Sequence, residues 1–266
     1  MGLLLSDNHS IGFIGFGNMG AAIALSIQKE FPSFSIFAVE TDNNRRKIIA
    51  RDFTFVSLVN HDQLFKKCRT IFLAIKPQQV RQLVTDIASF ITSNHVLISM
   101  LAGVSLKTLH DLYQPAQCVR IMPNTPAKLS KGVTGLYMVD DFLEDDRQFV
   151  MSICDSFGKV VVLNNEDDIN LITALSGSGP AFFYRMVDAF ILFAKDKGLD
   201  ETVAKNVVIH TLIGSGEMLL DDPNPNAQVQ RVSSPNGTTQ AGLEMMDQLE
   251  FDHIIKNVLT SAYERA

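Results

Sequence analysis

Apolar and polar residues alternate in blocks along the first half of the chain. Short apolar runs of the kind that form buried strands are separated by longer stretches with apolar residues at helical spacing. The runs lie at residues 11–14, 34–40, 69–77, 95–103, 118–127, 132–139 and 158–164. Strands that alternate with helices predict an α/β fold with a doubly wound Rossmann sheet. We place this dinucleotide-binding domain at residues 1–164.

Beyond this domain the strand pattern stops, and helical spacing continues to the C-terminus. A short helix is predicted before a break at Gly177–Pro180, and a long helix is predicted after it. In the long helix Phe183, Val187 and Phe190 fall on one stripe. The stripe could be an ordinary core, but so much apolar helix surface favours burial against a second subunit. Residues 165–266 are therefore predicted to form an all-α dimerisation domain.

A glycine-rich turn follows the first predicted strand. Gly15, Gly17 and Gly20 form the pattern G-x-G-x-x-G between a strand and an amphipathic helix. The first glycine permits the tight turn, the second lets a pyrophosphate approach the backbone, and the third lets helix and strand pack closely. The helix N-terminus then faces the phosphate charge. The turn therefore predicts a dinucleotide site.

An acidic residue ends the second predicted strand. Glu40 lies about 20 positions after the glycines, where a carboxylate often holds the ribose 2′-hydroxyl and favours NAD. Arg45 and Arg46 follow closely. They could reach a 2′-phosphate, or they could be solvated charges of a helix face. The sequence therefore leaves open whether the cofactor is NADH or NADPH.

The later strands end in small or turn-forming residues. Ligands of open parallel sheets bind beyond the carboxyl ends of the strands. Residues 74–77, 101–103 and 122–124 are therefore expected to line one crevice. Taken singly, Lys76 could be a surface charge and Asn124 a turn residue. Their shared edge of the sheet favours a common role in cofactor binding.

Composition and charge narrow the classes of partner. The chain has 266 residues and a net charge of −6, without a run of Lys and Arg that could follow a phosphate backbone, so nucleic acid is not expected as a partner. The chain has no uninterrupted apolar stretch of about 18 residues, so a membrane span is not expected. Cys68, Cys118 and Cys154 match neither a disulfide framework nor a zinc site. The start, MGLLLSDNHS, lacks the features of a secretory signal, and we expect a cytoplasmic protein without a metal.

Six motifs occur together in one order: GFIGFGNMG, AIKP, SMLAGV, RIMPNTPA, LSGSGPAF and SSPNGTT. From about residue 10 to the C-terminus the chain resembles the pyrroline-5-carboxylate reductase family. The first three motifs are shared with many dehydrogenases, whereas the last three together are far more specific. The resemblance implies a Rossmann domain joined to a helical dimerisation domain, in a homo-oligomer built from dimers. It also implies reduction of Δ1-pyrroline-5-carboxylate to L-proline with NADH or NADPH, the last step of proline biosynthesis.

The resemblance also implies roles for individual residues. Those that hold the pyrophosphate would be Ile14, Gly15, Phe16, Gly17, Asn18 and Met19. Those on the nicotinamide side would be Ala74, Ile75, Lys76, Pro77, Leu101, Ala102 and Gly103. Asn60 lies one residue from an adenosine-contact position of the family. Those that hold the substrate carboxylate would be Ser234, Gly237, Thr238 and Thr239, with Thr173 near the ring nitrogen.

The chemistry of an imine reduction fits this set of residues. A protonated imine is already a strong electrophile, so a dedicated general acid is not obligatory, and no His or Cys–His pair lies in these motifs. We expect a water or the hydroxyl of Thr173 or Thr239 to supply or orient the proton. For the carboxylate, Ser234 is predicted to cap a helix with Pro235 in its first turn, leaving bare backbone N–H groups and two hydroxyls.

Two positions depart from the family pattern. Asn236 replaces the first of the two glycines that usually follow the proline, and asparagine tolerates the left-handed conformation better than other non-glycine residues. Gln228–Gln230 replaces a Leu-Lys/Arg-Asp sequence, which puts in doubt any salt bridge made there.

Two rival functions share the predicted fold. A β-hydroxyacid dehydrogenase would carry a catalytic Lys four residues beyond Gly179, where this chain has Phe183. A nucleotide-sensing module would bind cofactor without turnover, since a fold alone does not fix chemistry.

Overall fold

A computed structural model describes residues 9–266, so the N-terminal leader lies outside the described residues. The chain forms two compact units. The sheet unit extends to Ser178 and includes Arg265–Ala266, and the helical unit is Gly179–Glu264. The first short helix after the sheet belongs to the sheet unit because it packs on the last strands. The boundary predicted between residues 164 and 165 marks instead the point where strands give way to helices.

Eight strands form one sheet in the order β3-β2-β1-β4-β5-β6-β7-β8. Their bounds are β1 Ser10–Ile14, β2 Ser35–Val39, β3 Val56–Leu58, β4 Thr70–Leu73, β5 Val96–Ser99, β6 Gln117–Met122, β7 Gly132–Tyr137 and β8 Gly158–Val162. The strand order reverses between β1 and β4, which is the switch point where open α/β sheets bind ligands. The predicted Rossmann sheet is therefore confirmed.

Helices cover both faces of this sheet. Their bounds are α1 Asn18–Glu30, α2 Asn43–Asp52, α3 His61–Lys67, α4 Val80–Ile87, α5 Leu106–Tyr113, α6 Glu144–Asp155 and α7 Asp168–Ile172. Neighbouring residues of β1 serve opposite faces, since Phe13 lies in one apolar cluster and Ile14 in the other. The ring of Phe13 stacks on Phe72 of β4 at 4.9 Å. Two buried faces explain why the strands are continuous apolar runs.

Three features of the sheet were not predicted from the sequence. β3 spans only three residues, of which Ser57 is exposed. β7 runs antiparallel to β6, whereas the other neighbouring strands pair in parallel. The run predicted as a strand at 118–127 ends earlier, because Pro126 lies in a 3₁₀ turn at Thr125–Leu129.

The helical unit contains α8 Gly179–Asp196, α9 Glu201–Asp221, α10 Pro225–Val232, α11 Thr238–Gln248 and α12 Phe251–Tyr263. The break predicted at Gly177–Pro180 is shorter than expected, since a π-helical turn at Thr173–Gly177 leads almost directly into α8. Phe183, Phe190 and Phe193 on α8 are 53 to 64% exposed within the single chain. In the described part of the chain, no helix is long and apolar enough to cross a membrane.

Candidate active site

The glycine turn after β1 has the geometry that a dinucleotide requires. Gly15 adopts φ +82°, and a Cβ there would lie 2.6 Å from the carbonyl oxygen of Ala74. A Cβ on Gly20 would lie 3.2 Å from the Gly15 oxygen, so this glycine permits close packing. A Cβ on Gly17 would meet nothing within 4 Å. The Gly17 backbone is therefore open to a ligand, at the N-terminus of α1 where backbone N–H groups attract phosphate.

A cavity of about 580 Å³ lies over this turn. Many predicted cofactor residues line it: Ile14, Gly15, Phe16, Gly17, Asn18, Met19, Gly20, Glu40, Ala74, Ile75 and Lys76. Residues from α3 and α4 that were not predicted complete its wall: His61, Gln82, Leu83 and Asp86. The ends of β1, β2 and β4 thus meet at one concave site. Of the three strand ends that were expected to line one crevice, residues 74–76 line this cavity, whereas residues 101–103 and 122–124 do not.

Asn60 lies beside this cavity without lining it. Its side-chain oxygen accepts a hydrogen bond from the Gln63 N–H at 2.8 Å, and the Gln63 side chain accepts from the Asn60 N–H at 3.2 Å. This capping box starts α3. The next residue, His61, faces the cavity, and burial lowers the pKa of its imidazole.

The remaining predicted cofactor residues do not line the cavity: Pro77, Leu101, Ala102, Gly103 and Asn124. Asn124 is 7% exposed and bonded within the sheet unit. Its amide nitrogen donates to the carbonyl and hydroxyl oxygens of Ser176, and its oxygen accepts from the Val133 N–H. The Asn124 side chain is therefore engaged at both its nitrogen and its oxygen by groups of the sheet unit itself.

Thr173 opens the π-helical turn and is half-buried. Its hydroxyl donates to the carbonyl oxygen of Ile169 at 2.7 Å. The hydroxyl lone pairs are therefore the part of this side chain that can meet a ligand. In this rotamer the Thr173 hydroxyl can accept a hydrogen bond from a ligand but does not donate one to it.

The segment from Ser234 to Thr239 forms a tight turn followed by α11. The Gly237 N–H donates to the Ser234 carbonyl oxygen at 3.0 Å, and Asn236 adopts φ +57°. The prediction that Ser234 caps the helix is wrong. The cap is Gly237, and Pro235 lies before the first turn, because the left-handed Asn236 closes the turn first. A Cβ on Gly237 would lie 2.4 Å from the Ser234 hydroxyl oxygen and 3.0 Å from its carbonyl oxygen, so a larger residue would require the Ser234 side chain to move.

The start of α11 offers donors without an internal acceptor. No side chain caps this helix, and its first turn contains no acidic residue. The first N–H groups of any α-helix lack intrahelical partners, and here they carry the helix's partial positive charge. The hydroxyls of Thr238 and Thr239 lie in the same turn. This arrangement suits a small carboxylate.

The sheet order, the glycine turn and the acidic strand end define a dinucleotide-binding Rossmann protein. A family model for pyrroline-5-carboxylate reductase dimerisation matches residues 166–266, and one for NADP oxidoreductase, coenzyme F420-dependent, matches residues 10–103. The chain is 30% identical over 260 residues to the pyrroline-5-carboxylate reductase of Haemophilus influenzae, covering 96% of each. The chain belongs to the pyrroline-5-carboxylate reductase family.

Solved structures agree with this assignment. The 1-pyrroline-5-carboxylate reductase of Streptococcus pyogenes superposes with a TM-score of 0.88 at 27% identity, covering 98% of each chain. The Plasmodium falciparum pyrroline carboxylate reductase with NADP bound gives 0.86 at 26% identity, covering 97% of each. The 3-hydroxyisobutyrate dehydrogenase of Mycobacterium tuberculosis gives 0.52 at 13% identity over 72% of this chain, a likeness of fold alone. The predicted family, oxidoreductase class and NAD(P)H cofactor are confirmed.

Proposed function

We propose that this chain reduces Δ1-pyrroline-5-carboxylate to L-proline, the last step of proline biosynthesis, and that the start of α11 holds the substrate carboxylate. The observation that carries the proposal is the uncapped first turn of α11, which follows the tight turn at Asn236 and Gly237. Near full-length similarity to pyrroline-5-carboxylate reductases supports the activity. The reaction adds a hydride to the imine carbon and leaves a proton on the nitrogen.

The residues of the sheet unit fit the cofactor. NAD(P)H supplies the hydride when it is bound. Gly15 and Gly17 leave the backbone open, and the N-terminus of α1 can balance pyrophosphate charge. The cavity over them is large enough for a nucleotide and is lined by both apolar and polar side chains. We assign the family's nicotinamide side to Ala74, Ile75 and Lys76 on its wall.

The substrate is held through its carboxylate. In this proposal the N–H groups of Thr238 and Thr239 and their hydroxyls donate to the two carboxylate oxygens, with the Ser234 hydroxyl nearby. These are hydrogen bonds to an ionised acceptor, which are stronger than neutral ones. No arginine is required, because the helix terminus supplies the positive end.

The hydroxyl of Thr173 orients the imine. Its hydrogen is engaged by Ile169, so it accepts a hydrogen bond from the protonated imine nitrogen. The proton is thereby held on nitrogen while the carbon receives the hydride. Thr239 or a water remains the candidate source of that proton.

The helical unit belongs to the family's dimerisation region. The exposed rings of Phe183, Phe190 and Phe193 support burial against a second copy, and we propose that dimers assemble further into a higher oligomer. The starts of the two family matches support the functional domains 1–164 and 165–266. Three free, buried cysteines support a reducing compartment, the cytoplasm.

The test follows absorbance of NADH and of NADPH with pyrroline-5-carboxylate added. We expect turnover by the unmodified protein. Thr239→Ala should raise the KM for the substrate or lower kcat by about tenfold, the loss expected for one charge-assisted hydrogen bond. Its Kd for the nucleotide should stay unchanged. The control Thr260→Ala changes an exposed threonine of α12 and should leave both constants unchanged. Absence of turnover with either nucleotide would refute the proposed function.

A further inference from the structure

The carboxylate of Glu40 is fixed at the edge of the nucleotide cavity. One oxygen accepts a hydrogen bond from the Phe16 N–H in the glycine turn, at 3.1 Å. The other accepts from the Asp42 N–H, at 2.9 Å. Glu40 lines the same cavity as Gly15 and Gly17. Two backbone donors therefore hold a negative charge in a single place beside the phosphate-binding turn.

The two nearby arginines are used elsewhere. Arg45 donates through Nε to the Phe16 carbonyl oxygen at 2.8 Å and through a terminal nitrogen to the Asn18 side chain at 3.3 Å. Arg46 donates to the backbone carbonyl of Glu40 at 2.9 Å. Neither arginine lines the cavity. Both guanidinium groups therefore hydrogen-bond to the protein around the turn and do not line the ligand cavity.

The charge of Glu40 is not neutralised by a basic side chain. Within residues 9–266, no Lys, Arg or His nitrogen lies within 4.0 Å of its carboxylate oxygens. Each oxygen retains a lone pair beyond its backbone donor, so the group can still accept from a hydroxyl. A phosphate dianion placed there would instead meet an uncompensated like charge.

We propose that Glu40 makes this enzyme selective for NADH over NADPH. The inference rests on the proposed function and deepens it by assigning the cofactor. An acidic residue at the end of the second strand is placed to accept from the ribose 2′-hydroxyl. The 2′-phosphate of NADPH cannot donate that bond and is repelled. Arg45 is instead held by Phe16 and Asn18 and does not line the cavity. A like-charge contact of this kind corresponds to a preference of about 10- to 100-fold.

The test measures the Kd of NADH and of NADPH by titration calorimetry, without substrate, on the full chain. The unmodified protein should bind NADH at least about tenfold more tightly. In Glu40→Gln the amide oxygen can still accept the Phe16 N–H while the charge is removed. The Kd ratio should then move toward equality by about tenfold or more. The control Glu30→Gln removes an exposed charge at the end of α1 and should leave the ratio unchanged.

A second pair of variants tests the arginines. In Arg45→Met and Arg46→Met we expect the ratio of the two Kd values to stay within about twofold of its value in the unmodified protein, since neither side chain lines the cavity.

A selective loss of NADPH affinity in either variant would overturn the proposal and make that arginine the phosphate receptor. Tighter binding of NADPH by the unmodified protein would also overturn it. An unchanged ratio in a folded Glu40→Gln protein, judged by its thermal melt, would do the same. If the unmodified protein bound neither NADH nor NADPH, that result would instead refute the proposed function.

Discussion

The side-chain amide of Asn124 donates two hydrogen bonds to Ser176, one to its carbonyl oxygen at 3.2 Å and one to its hydroxyl at 3.0 Å. This pair joins the residues after β6 to the π-helical turn that begins at Thr173. Single π-helical turns are uncommon and occur often at functional sites. The bonds from Asn124 therefore hold the turn that presents the Thr173 hydroxyl.

Replacing Asn124 with Ala should destabilise the sheet unit. The change leaves the Val133 N–H and the Ser176 carbonyl without their side-chain partner in a partly buried setting. We expect the free energy of unfolding in urea to fall by about 2–3 kcal/mol. The control Asn44→Ala lies on the exposed side of α2 and should change it by less than about 0.5 kcal/mol. Equal losses in the two variants would contradict the role given to Asn124.

Gly15 and Gly17 should respond differently to alanine. Gly15→Ala forces a side chain into φ +82° and against the Ala74 oxygen, so unfolding free energy should drop by about 2 kcal/mol. Gly17→Ala meets no protein atom and should leave stability within about 0.5 kcal/mol. It should nevertheless raise the nucleotide Kd at least about tenfold, because the methyl group occupies the ligand's approach. Urea unfolding and calorimetry give both quantities, and normal binding by Gly17→Ala would contradict this account.

The left-handed Asn236 can be tested with two substitutions. Asn236→Gly should stay within about 1 kcal/mol of the unmodified protein, since glycine adopts φ +57° without strain. Asn236→Ala should lose about 1–2 kcal/mol. The substrate KM should rise more in the alanine variant, because the turn that starts α11 is distorted. The control Asn257→Ala replaces an exposed residue within α12 and should be tolerated. A stable alanine variant with unchanged KM would show that the turn does not need the left-handed residue.

The three cysteines should be unreactive in the folded protein. Burial raises the pKa of Cys68 and of Cys118 to about 12, and burial also raises the pKa of Cys154. A rise of about three units lowers the thiolate fraction at pH 8 by roughly a thousandfold. With a chromogenic disulfide reagent we expect slow release of colour in buffer and rapid reaction of all three thiols in guanidinium. A thiol that reacts equally fast in both solutions would contradict this prediction.

The sequence predicted most of the sheet because its strands are buried on two faces and read as apolar runs. Val56–Leu58 was missed because three residues with an exposed serine carry too little periodicity. The antiparallel direction of β7 was also missed, since a strand's own residues read alike in either direction. Direction is set by the connection from β6, which contains the 3₁₀ turn at Thr125–Leu129.

The site was predicted less completely than the fold. The glycine turn was found because its three glycines lie close together in the sequence and each is needed for a stated steric reason. The hydrogen-bond partners of Glu40 and Arg45 were not predicted. Both side chains bond to the backbone of Phe16, and such a bond corresponds to no motif or residue spacing that can be recognised in a sequence. The cap of α11 was misplaced because serine is the commoner cap, whereas the conformation of Asn236 decides where this helix starts.

Buried apolar side chains are divided unequally between the two units. Across residues 9–266, Ala204 is the one member of the buried apolar set that lies in the helical unit. During synthesis the sheet unit leaves the ribosome first, with a core that needs no other chain. The helices that follow emerge with their apolar faces open to water until a second copy is met. For newly made copies, subunit encounter is then the step most exposed to aggregation and proteolysis.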